Sequence, residues 1–580
     1  MIRDPQTYAM QQARQLILDA AGRAVADGVF PADALPNFTI EIPADATHGD
    51  LASNFAMAGA RTLRKAPRAI AEAIQERANL DGTPFSKLEI AGPGFINLFY
   101  SSEYYGNVVR SAVEAGETYG NTDGGKGEKW MVEFVSANPT GPMHLGNARG
   151  GAIGDVLAAV LQRAGYDVTR EFYVNDAGNQ IAKFGDSLAA RYHQLTDESY
   201  PFPEKGYQGA DIIEHAKAFA EENGTAFAGS EEELKDALVN FALPKNVAGL
   251  ERDLAKYGIT YDVWFRESGL YSDGTVDKIM DMLAANDATY EKDGAIWLKT
   301  AEYLRRYYKA LGKTDEEIDR LELKDDVLRR ANGFYTYFAA DIAYHYNKFS
   351  ERGFDHVINV WGADHHGHVA RLKVAMDAIG ISSSRLDIVL MQLVELVRDG
   401  EAVRMSKRTG KAITLTDLLE EVPIDAARFF FNLREPNSHF EFDLGLAVKQ
   451  EKDNPVYYVQ YAHARMCSIL KAIASDGFAT DGSAAFDAAV LSTEEEKALI
   501  RKIGAFPAEI LSSARDFDPS RITRFAVDTA TLFHRFYTVC RVKDAGSAEL
   551  TAARTALCVA AKQVIANCLQ TLGISAPQVM

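Results

Sequence analysis

Two short stretches of the 580-residue chain carry residues suited to handling phosphate. The first is Ala137-Asn-Pro-Thr-Gly-Pro-Met-His-Leu-Gly-Asn147. Pro139, Gly141 and Pro142 end the strand before it. Gly146, Gly150, Gly151 and Gly154 leave the start of the next helix nearly bare, so a ligand or another backbone can come close. A helix N-terminus with unpaired N–H groups favours phosphate, and His144 adds a donor there. The plainer reading is a strand-to-helix turn with a row of packing glycines. The second stretch, Val403-Arg-Met-Ser-Lys-Arg-Thr-Gly-Lys411, gathers four cations in a polar loop hinged at Gly410. Lysine is a flexible point charge that can follow a phosphate as charge moves. Standing alone, such a loop is ordinarily just solvated.

Other groupings are weaker. Tyr337 and Asp341 are four apart, hence on one helix face. Asp364, His365, His366 and His368 form a dense cluster. A structural zinc site takes about four ligands from separate turns, whereas adjacent side chains diverge, so no structural zinc is expected. Arg61, Arg64, Lys65 and Arg68 fall at helical spacing except where Pro67 intervenes, a pattern that is by default a solvated face. Tyr457, Tyr458 and Tyr461 read first as core or interface.

The elements that must position these groups follow from the apolar pattern. A strand over 130–135, a helix over about 145–164 and a strand over 167–174 make a β-α-β unit, the start of a parallel sheet. Ligands bind such sheets outside the carboxyl ends of the strands. Residues 183–324 are charged and read as a largely helical insertion. A second α/β stretch follows, with a helix around 337–350 and strands over 356–360 and 386–396. The first 115 residues mix a helix over 8–26, strands at 38–42 and 88–90, and a mostly helical run over 51–78 broken near Pro67. Residues 120–127 read as a polar linker, and from about 454 the pattern is helical throughout. The predicted domains are therefore 1–118, an α+β domain; 128–453, an α/β domain with the insertion; and 454–580, a helical bundle.

Apolar residues are 47% and charged residues 25%, a globular balance that excludes a disordered or collagen-like chain. No run approaches the ~20 apolar residues of a membrane span, and the N-terminus has no apolar signal core. Cys467, Cys540, Cys558 and Cys568 form no CxxC pair, which fits a reducing cytoplasm. The net charge of −19 argues against a general DNA coater. From 455 onward, however, 13 Lys+Arg nearly balance 12 Asp+Glu, and a near-neutral module can approach a polyanion.

The first motif in one half and the Met-Ser-Lys loop in the other resemble the paired HIGH and KMSKS motifs of class I aminoacyl-tRNA synthetases. More specifically, the chain resembles the arginyl-tRNA synthetases. The resemblance rests on Val132-Glu-Phe-Val-Ser-Ala-Asn-Pro-Thr140, Tyr173-Val-Asn-Asp-Ala-Gly-Asn-Gln180, Tyr335-Thr-Tyr-Phe-Ala-Ala-Asp341, Trp361-Gly-Ala-Asp-His-His366, Asp425-Ala-Ala-Arg-Phe429 and Tyr457-Tyr-Val-Gln-Tyr-Ala-His-Ala-Arg465. It extends from His48-Gly-Asp-Leu-Ala-Ser-Asn54 and Gly92-Pro-Gly-Phe-Ile-Asn97 to Met580, nearly the whole chain. Two positions depart from the pattern. Asn147 replaces the second histidine of HIGH and Arg404 the first lysine of KMSKS.

The resemblance implies a Rossmann-like catalytic domain, a tRNA-contacting N-terminal domain and an anticodon-binding helical bundle. It implies ATP-dependent attachment of L-arginine to its tRNA through an arginyl-adenylate. His144, Asn147 and Lys407 would be catalytic. Gly146, Gly362, Asp364, Met405 and Ser406 would join them in holding ATP with its Mg²⁺. Glu133, Asn138, Tyr337, Asp341 and His365 would line the arginine pocket, and Arg61, Arg64, Tyr461 and Met580 would touch tRNA. A cytoplasmic monomer is expected, with no DNA or membrane partner. The rival readings are a catalytically silent tRNA-binding paralogue, which the two departures allow, and a class I enzyme for another amino acid. A cysteine enzyme would need a thiolate-binding zinc, for which the cysteine spacing is wrong.

Overall fold

The structure, a computed structural model, describes residues 3–32, 35–403, 413–543 and 545–580. The chain divides into two bodies: Gly125–Lys449 with Phe517–Ser520, and Met1–Gly124 with Gln450–Asp516 and Arg521–Met580.

The body formed by the two chain ends begins with α1 (Pro5–Ala26), whose start is capped by the Asp4 side chain accepting from the Thr7 N–H at 3.0 Å. Its buried stripe, Ala9, Ala13, Leu16, Ile17, Ala20 and Ala24, has the spacing of one helix face. Four antiparallel strands follow: β1 (Ile40–Glu41), β2 (Leu51–Ser53), β3 (Phe85–Ala91) and β4 (Phe95–Tyr100), in the order β1-β2-β4-β3. The run over 51–78 is helical at Phe55–Gly59 and again from Pro67, but its first three residues are strand and pair with β4. Pro67 starts a helix, α2 (Pro67–Arg77), rather than interrupting one. The helix α3 (Ser102–Ala115) completes this part.

The other body is built on five parallel strands, β5 (Lys129–Glu133), β6 (Asp167–Val174), β7 (Val263–Arg266), β11 (His356–Gly362) and β12 (Leu386–Met391), in the order β12-β11-β5-β6-β7. The chain moves outward from β5 in one direction through β6 and β7, then returns to add β11 on the other side of β5. That reversal opens a crevice beyond the carboxyl ends of β5 and β11. The helix α4 (Leu145–Arg163) links β5 to β6. Inserted between β6 and β7 are α5 (Gly178–His193), α6 (Ala210–Asn223) and α7 (Glu231–Lys256), which share a core of Phe184, Leu188, Ile212, Phe219 and Leu238. Beyond α7 the segment expected to be largely helical adds the helices Glu267–Ser272, Thr275–Ala285, Thr300–Ala310 and Asp315–Asp319, interleaved with β7 and with an antiparallel sheet of β8 (Thr289–Lys292), β9 (Ala295–Leu298) and β10 (Asp326–Arg329).

After β10, α8 (Tyr337–Tyr346) runs into a π-helical turn, Asn347–Glu351, and α9 (His366–Ala378) follows β11. The single strand expected over 386–396 is two strands in different sheets, β12 and β13 (Val394–Arg398). The strands β14 (Glu401–Ala402) and β15 (Phe440–Asp443) flank β13, and α10 (Leu415–Glu421) and α11 (Ile424–Phe431) lie between them in the chain. The long helices α12 (Pro455–Ser475), α13 (Glu494–Asp516), α14 (Ser520–Val539) and α15 (Ala548–Thr571) form the C-terminal bundle. It joins the N-terminal elements in one body through Tyr119 Oη to the Ile503 carbonyl at 3.1 Å and Asn567 Nδ2 to the Gly116 and Tyr119 carbonyls at 3.0 and 2.9 Å.

Candidate active site

The first motif forms the turn from β5 to α4, at the mouth of the crevice. Val135 and Ser136 both take positive φ, 69° and 43°. For a β-branched residue that is strained and must be held by its surroundings. The holding groups are close. Ser136 Oγ donates to Glu133 Oε1 at 2.9 Å and accepts the Tyr173 N–H at 3.2 Å. Glu133 is buried and sits 2.6 Å from the wholly buried Lys348 Nζ, which also donates to Asn359 Oδ1 at 3.1 Å. Asn359 bonds His345 Nε2 at 2.8 Å, and His345 Nδ1 meets the Asp341 carbonyl at 2.7 Å. Burial pulls both Lys348 and His345 below their ordinary pKa, Glu133 opposing this at Lys348. Glu133 thus corrects the sequence expectation. It lines neither cavity described below, because its carboxylate is committed to Lys348 and Ser136.

A cleft of about 790 Å³ opens at the turn, lined by Asn138, His144, Gly146, Asn147, Gly362 and His365 among others. His144 is exposed at the N-cap of α4, and Asn147 Oδ1 accepts its backbone N–H at 3.0 Å. The asparagine therefore orders the helix start in the manner of a capping box, with its amide NH₂ left for the cleft. The glycine row splits by function. A Cβ on Gly146 would meet nothing, so that residue keeps the cleft wall open. A Cβ on Gly154 would lie 2.2 Å from Phe134 Cγ, so that residue allows α4 to lie against the strand end. His365 lines the large cleft and not the smaller pocket beside it, and Asp364 lines neither; its side chain is 79% exposed and turns back beside Gly362.

Adjoining the cleft is a pocket of about 250 Å³, lined by Asn138, Tyr173, Asn175, Gln180, Glu267, Tyr337, Ala340 and Asp341. Three of the expected arginine residues, Asn138, Tyr337 and Asp341, meet here. Asp341 Oδ2 is 3.0 Å from His368 Nε2, whose ring stacks on Trp361. Glu267 was missed from the sequence. It is 1% exposed at the start of the short helix Glu267–Ser272, which directly follows β7, and Tyr271 Oη donates to it at 3.3 Å. Burial pushes its carboxyl up to about 7, and the Asp341 charge adds to this, against hydrogen bonds from Tyr173 and Tyr271. The only sequence clue was its place just beyond a strand end, and that strand was not expected. Gly178 has φ +74°, and its Cβ would stand 3.3 Å from the Tyr337 ring, so glycine is required there.

Arg404, Met405, Ser406 and Lys407 lie outside the described residues. The residues on either side are anchored. The Val403 N–H donates to the Leu396 carbonyl at 2.8 Å. Downstream, Thr414 bridges to His144, and the Leu415 N–H donates to the Met143 carbonyl at 3.0 Å. The chain just beyond the second motif is therefore bound to the first. The wholly buried Arg149 of α4 also ties this region together, donating to the Gln392, Glu435 and Ser438 carbonyls at 2.6 to 3.2 Å. Arg428, from the 425–429 stretch, pairs with Asp155 of α4 at 2.5 Å.

In the other body, Arg61 and Arg64 are exposed, but in a turn; Arg61, Arg64 and Lys65 precede α2, so they do not share a helix face with Arg68. Tyr461 is 39% exposed, stacked between Tyr457 and His534 at 6.2 and 6.1 Å. Met580 is 49% exposed. Among the described residues, no group of three or more His, Cys, Asp or Glu side chains could hold a metal ion, and no helix is long and apolar enough to cross a membrane.

Comparison with known proteins gives three family matches in chain order. Residues 11–100 match the arginyl tRNA synthetase N terminal domain, residues 109–441 the class I (R) tRNA synthetase catalytic domain, and residues 459–580 the DALR anticodon binding domain. The chain is 50% identical over 575 residues to an arginine–tRNA ligase of Acetivibrio thermocellus, covering 98% of each chain. It is 51% identical over 573 residues to one of Caldanaerobacter subterraneus subsp. tengcongensis, covering 99% of each. The arginyl-tRNA synthetase structure of Thermus thermophilus, 20% identical, has the same fold, with a TM-score of 0.71 over 97% of this chain and 99% of that one.

Proposed function

The chain belongs to the arginyl-tRNA synthetases, class I enzymes that attach arginine to tRNA with ATP, and from that premise we propose that its two adjoining cavities divide the substrates between them. The small pocket takes the arginine side chain and the large cleft takes ATP. The observation that carries this reading is the pair of carboxylates, Asp341 and Glu267, in a pocket that opens on a cleft floored by a helix N-terminus. A guanidinium is planar, always charged and best met by carboxylates. Phosphates are best met by helix N–H groups and movable cations.

In the proposed mechanism, Asp341 and Glu267 hold the guanidinium and Tyr337 closes the pocket's exposed side. Asn138, which lines both cavities, holds the reacting end of arginine at their junction. His144 and the first turn of α4 face the phosphates, with the Asn147 amide beside them. The arginine carboxylate attacks the α-phosphorus of ATP and pyrophosphate leaves; a ribose hydroxyl of the tRNA's terminal adenosine then attacks the carbonyl of the arginyl-adenylate, and AMP leaves. Such chemistry needs positioning and charge neutralisation more than a nucleophilic side chain. Lys407 is proposed to follow the leaving pyrophosphate; the anchoring of Thr414 and Leu415 on Met143 and His144 supports its reaching the cleft. Mg²⁺ is read as part of the ATP substrate.

The tRNA is proposed to meet the other body, with Arg61 and Arg64 on its backbone and Tyr461 and Met580 on unstacked bases. A monomer is proposed because one chain lines both cavities. A cytoplasmic location is proposed because all four cysteines are free thiols. The test is arginine-dependent exchange of pyrophosphate into ATP, with tRNA present, run across the amino acids. Exchange with arginine alone is expected; exchange with another amino acid would overturn the assignment of the pocket.

A further inference from the structure

Gln180 belongs to the Tyr173–Gln180 stretch, most of which has no role in the mechanism above. It is the third residue of α5, beyond β6, and it lines both the large cleft and the small pocket, as Asn138 does beyond the neighbouring strand β5. Its Oε1 accepts a hydrogen bond from Tyr207 Oη. Tyr207 comes from the loop between α5 and α6, where its backbone N–H donates to Ser187 Oγ at 2.9 Å. The hydroxyl donor fixes which side of the amide carries the oxygen, so the NH₂ is set on the other side as a donor. The inserted helices thus fix a hydrogen-bond donor where the two cavities meet.

We propose that Gln180 Nε2 donates to the α-carboxylate of the bound arginine, and that Tyr207 is a positioning residue that keeps the amide in this orientation. The proposal rests on the assignment of the small pocket to the guanidinium. With the side chain anchored at Asp341 and Glu267, the carboxylate end of the amino acid must come to the junction, because that is where it meets the α-phosphate. A neutral donor suits this position, since it holds the carboxylate without neutralising it as a lysine or arginine would.

The test compares arginine with agmatine, which keeps the guanidinium and lacks the carboxylate. Dissociation constants are measured by calorimetry on the full chain. Gln180→Ala is expected to weaken arginine about ten- to hundredfold, the range for a hydrogen bond to a charged group, and to leave agmatine within about twofold. Gln180→Glu, nearly isosteric but anionic, should weaken arginine at least as much and leave agmatine no weaker. Tyr207→Phe should weaken arginine less than Gln180→Ala does, and should add nothing in the Gln180→Ala background, where the amide it orients is gone. Equal losses for arginine and agmatine, or a loss confined to ATP, would overturn the proposal while leaving the pocket reading standing. Failure of the unmutated protein to bind agmatine would overturn both. An additive effect of Tyr207→Phe in the double variant would overturn the positioning role of Tyr207.

Discussion

Glu267 and Asp341 face one small pocket, and the Glu267 carboxyl, raised to about 7 by burial and by its neighbour, is poised to give up a proton when a cation arrives. The sign follows from linkage. A guanidinium binds the ionised form, so below pH 7 the proton must first be displaced and apparent affinity falls, approaching tenfold per pH unit; above 7 it levels off. Glu267→Gln should bind arginine weakly at all pH values and lose this slope, as arginine titrations between pH 5.5 and 8.5 would show. A slope that survives in the variant would assign it to another group. Lys348 carries a different kind of prediction. Lys348→Met leaves Glu133 buried without its cation, which costs about 3–5 kcal/mol, and adding Glu133→Gln should recover part of the loss in thermal melts. At this scale the sequence was partly legible. Tyr337 and Asp341 were found from helical spacing together with the family pattern. Glu133 was expected in the pocket but is committed to Lys348, which nothing local announces, since Lys348 reaches it from a π-helical turn. Glu267 stands in a stretch rich in charge, and its burial depends on β7 pairing with β6.

At the scale of elements, the first motif works because α4 can lie against the end of β5. Gly154→Ala would drive a Cβ into Phe134 and should lower stability by about 1–3 kcal/mol or more, with loss of both substrates following from the displaced turn. Gly146→Ala makes the contrast: its Cβ meets nothing, so the melting temperature should hold or rise slightly, while a methyl on the cleft wall raises the KM for ATP. If Gly146→Ala left ATP binding unchanged, the phosphates would lie elsewhere. The β-α-β unit was readable from pattern, since its period and turn residues are local. The break between β12 and β13 was not. It occurs where the Gln392 carbonyl accepts from Arg149 and its N–H donates to the Pro436 carbonyl, contacts made by residues far away in the chain. The turn holding Arg61, Arg64 and Lys65 was misread as helix because Pro67 is compatible with either a broken helix or a new start, and the left-handed turn at Arg64, φ 53°, is not written in its side chain.

At the scale of the molecule, the last residues test how the C-terminal bundle is used. The tail is held as far as Pro577, whose carbonyl is 2.8 Å from His463 Nδ1, with the Ser575 carbonyl accepting from Gln460 at 3.0 Å. Beyond it, Val579 and Met580 are 83% and 49% exposed. Deleting these two should leave the melting temperature unchanged and raise the KM for tRNA, whereas deleting from Ser575 onward should also lower the melting temperature. If the two-residue deletion left charging unaltered, the RNA contact would have to be sought at Tyr461. The three-part organisation was legible because each part has its own periodicity, but that the two chain ends share one body was not, since it depends on contacts such as Tyr119 with Ile503. The central claim concerns charge: the enzyme selects arginine because two carboxylates read the guanidinium. Citrulline has nearly the same shape and a neutral ureido group. The decisive quantity is the ratio of citrulline to arginine dissociation constants at pH 8, for the unmutated protein and for the Asp341→Asn/Glu267→Gln variant. Loss of charge-assisted contacts at about 1.5–3 kcal/mol each predicts a preference for arginine of at least about a hundredfold, collapsing to a few-fold in the variant. A variant that kept the full preference would show that the guanidinium is read somewhere else.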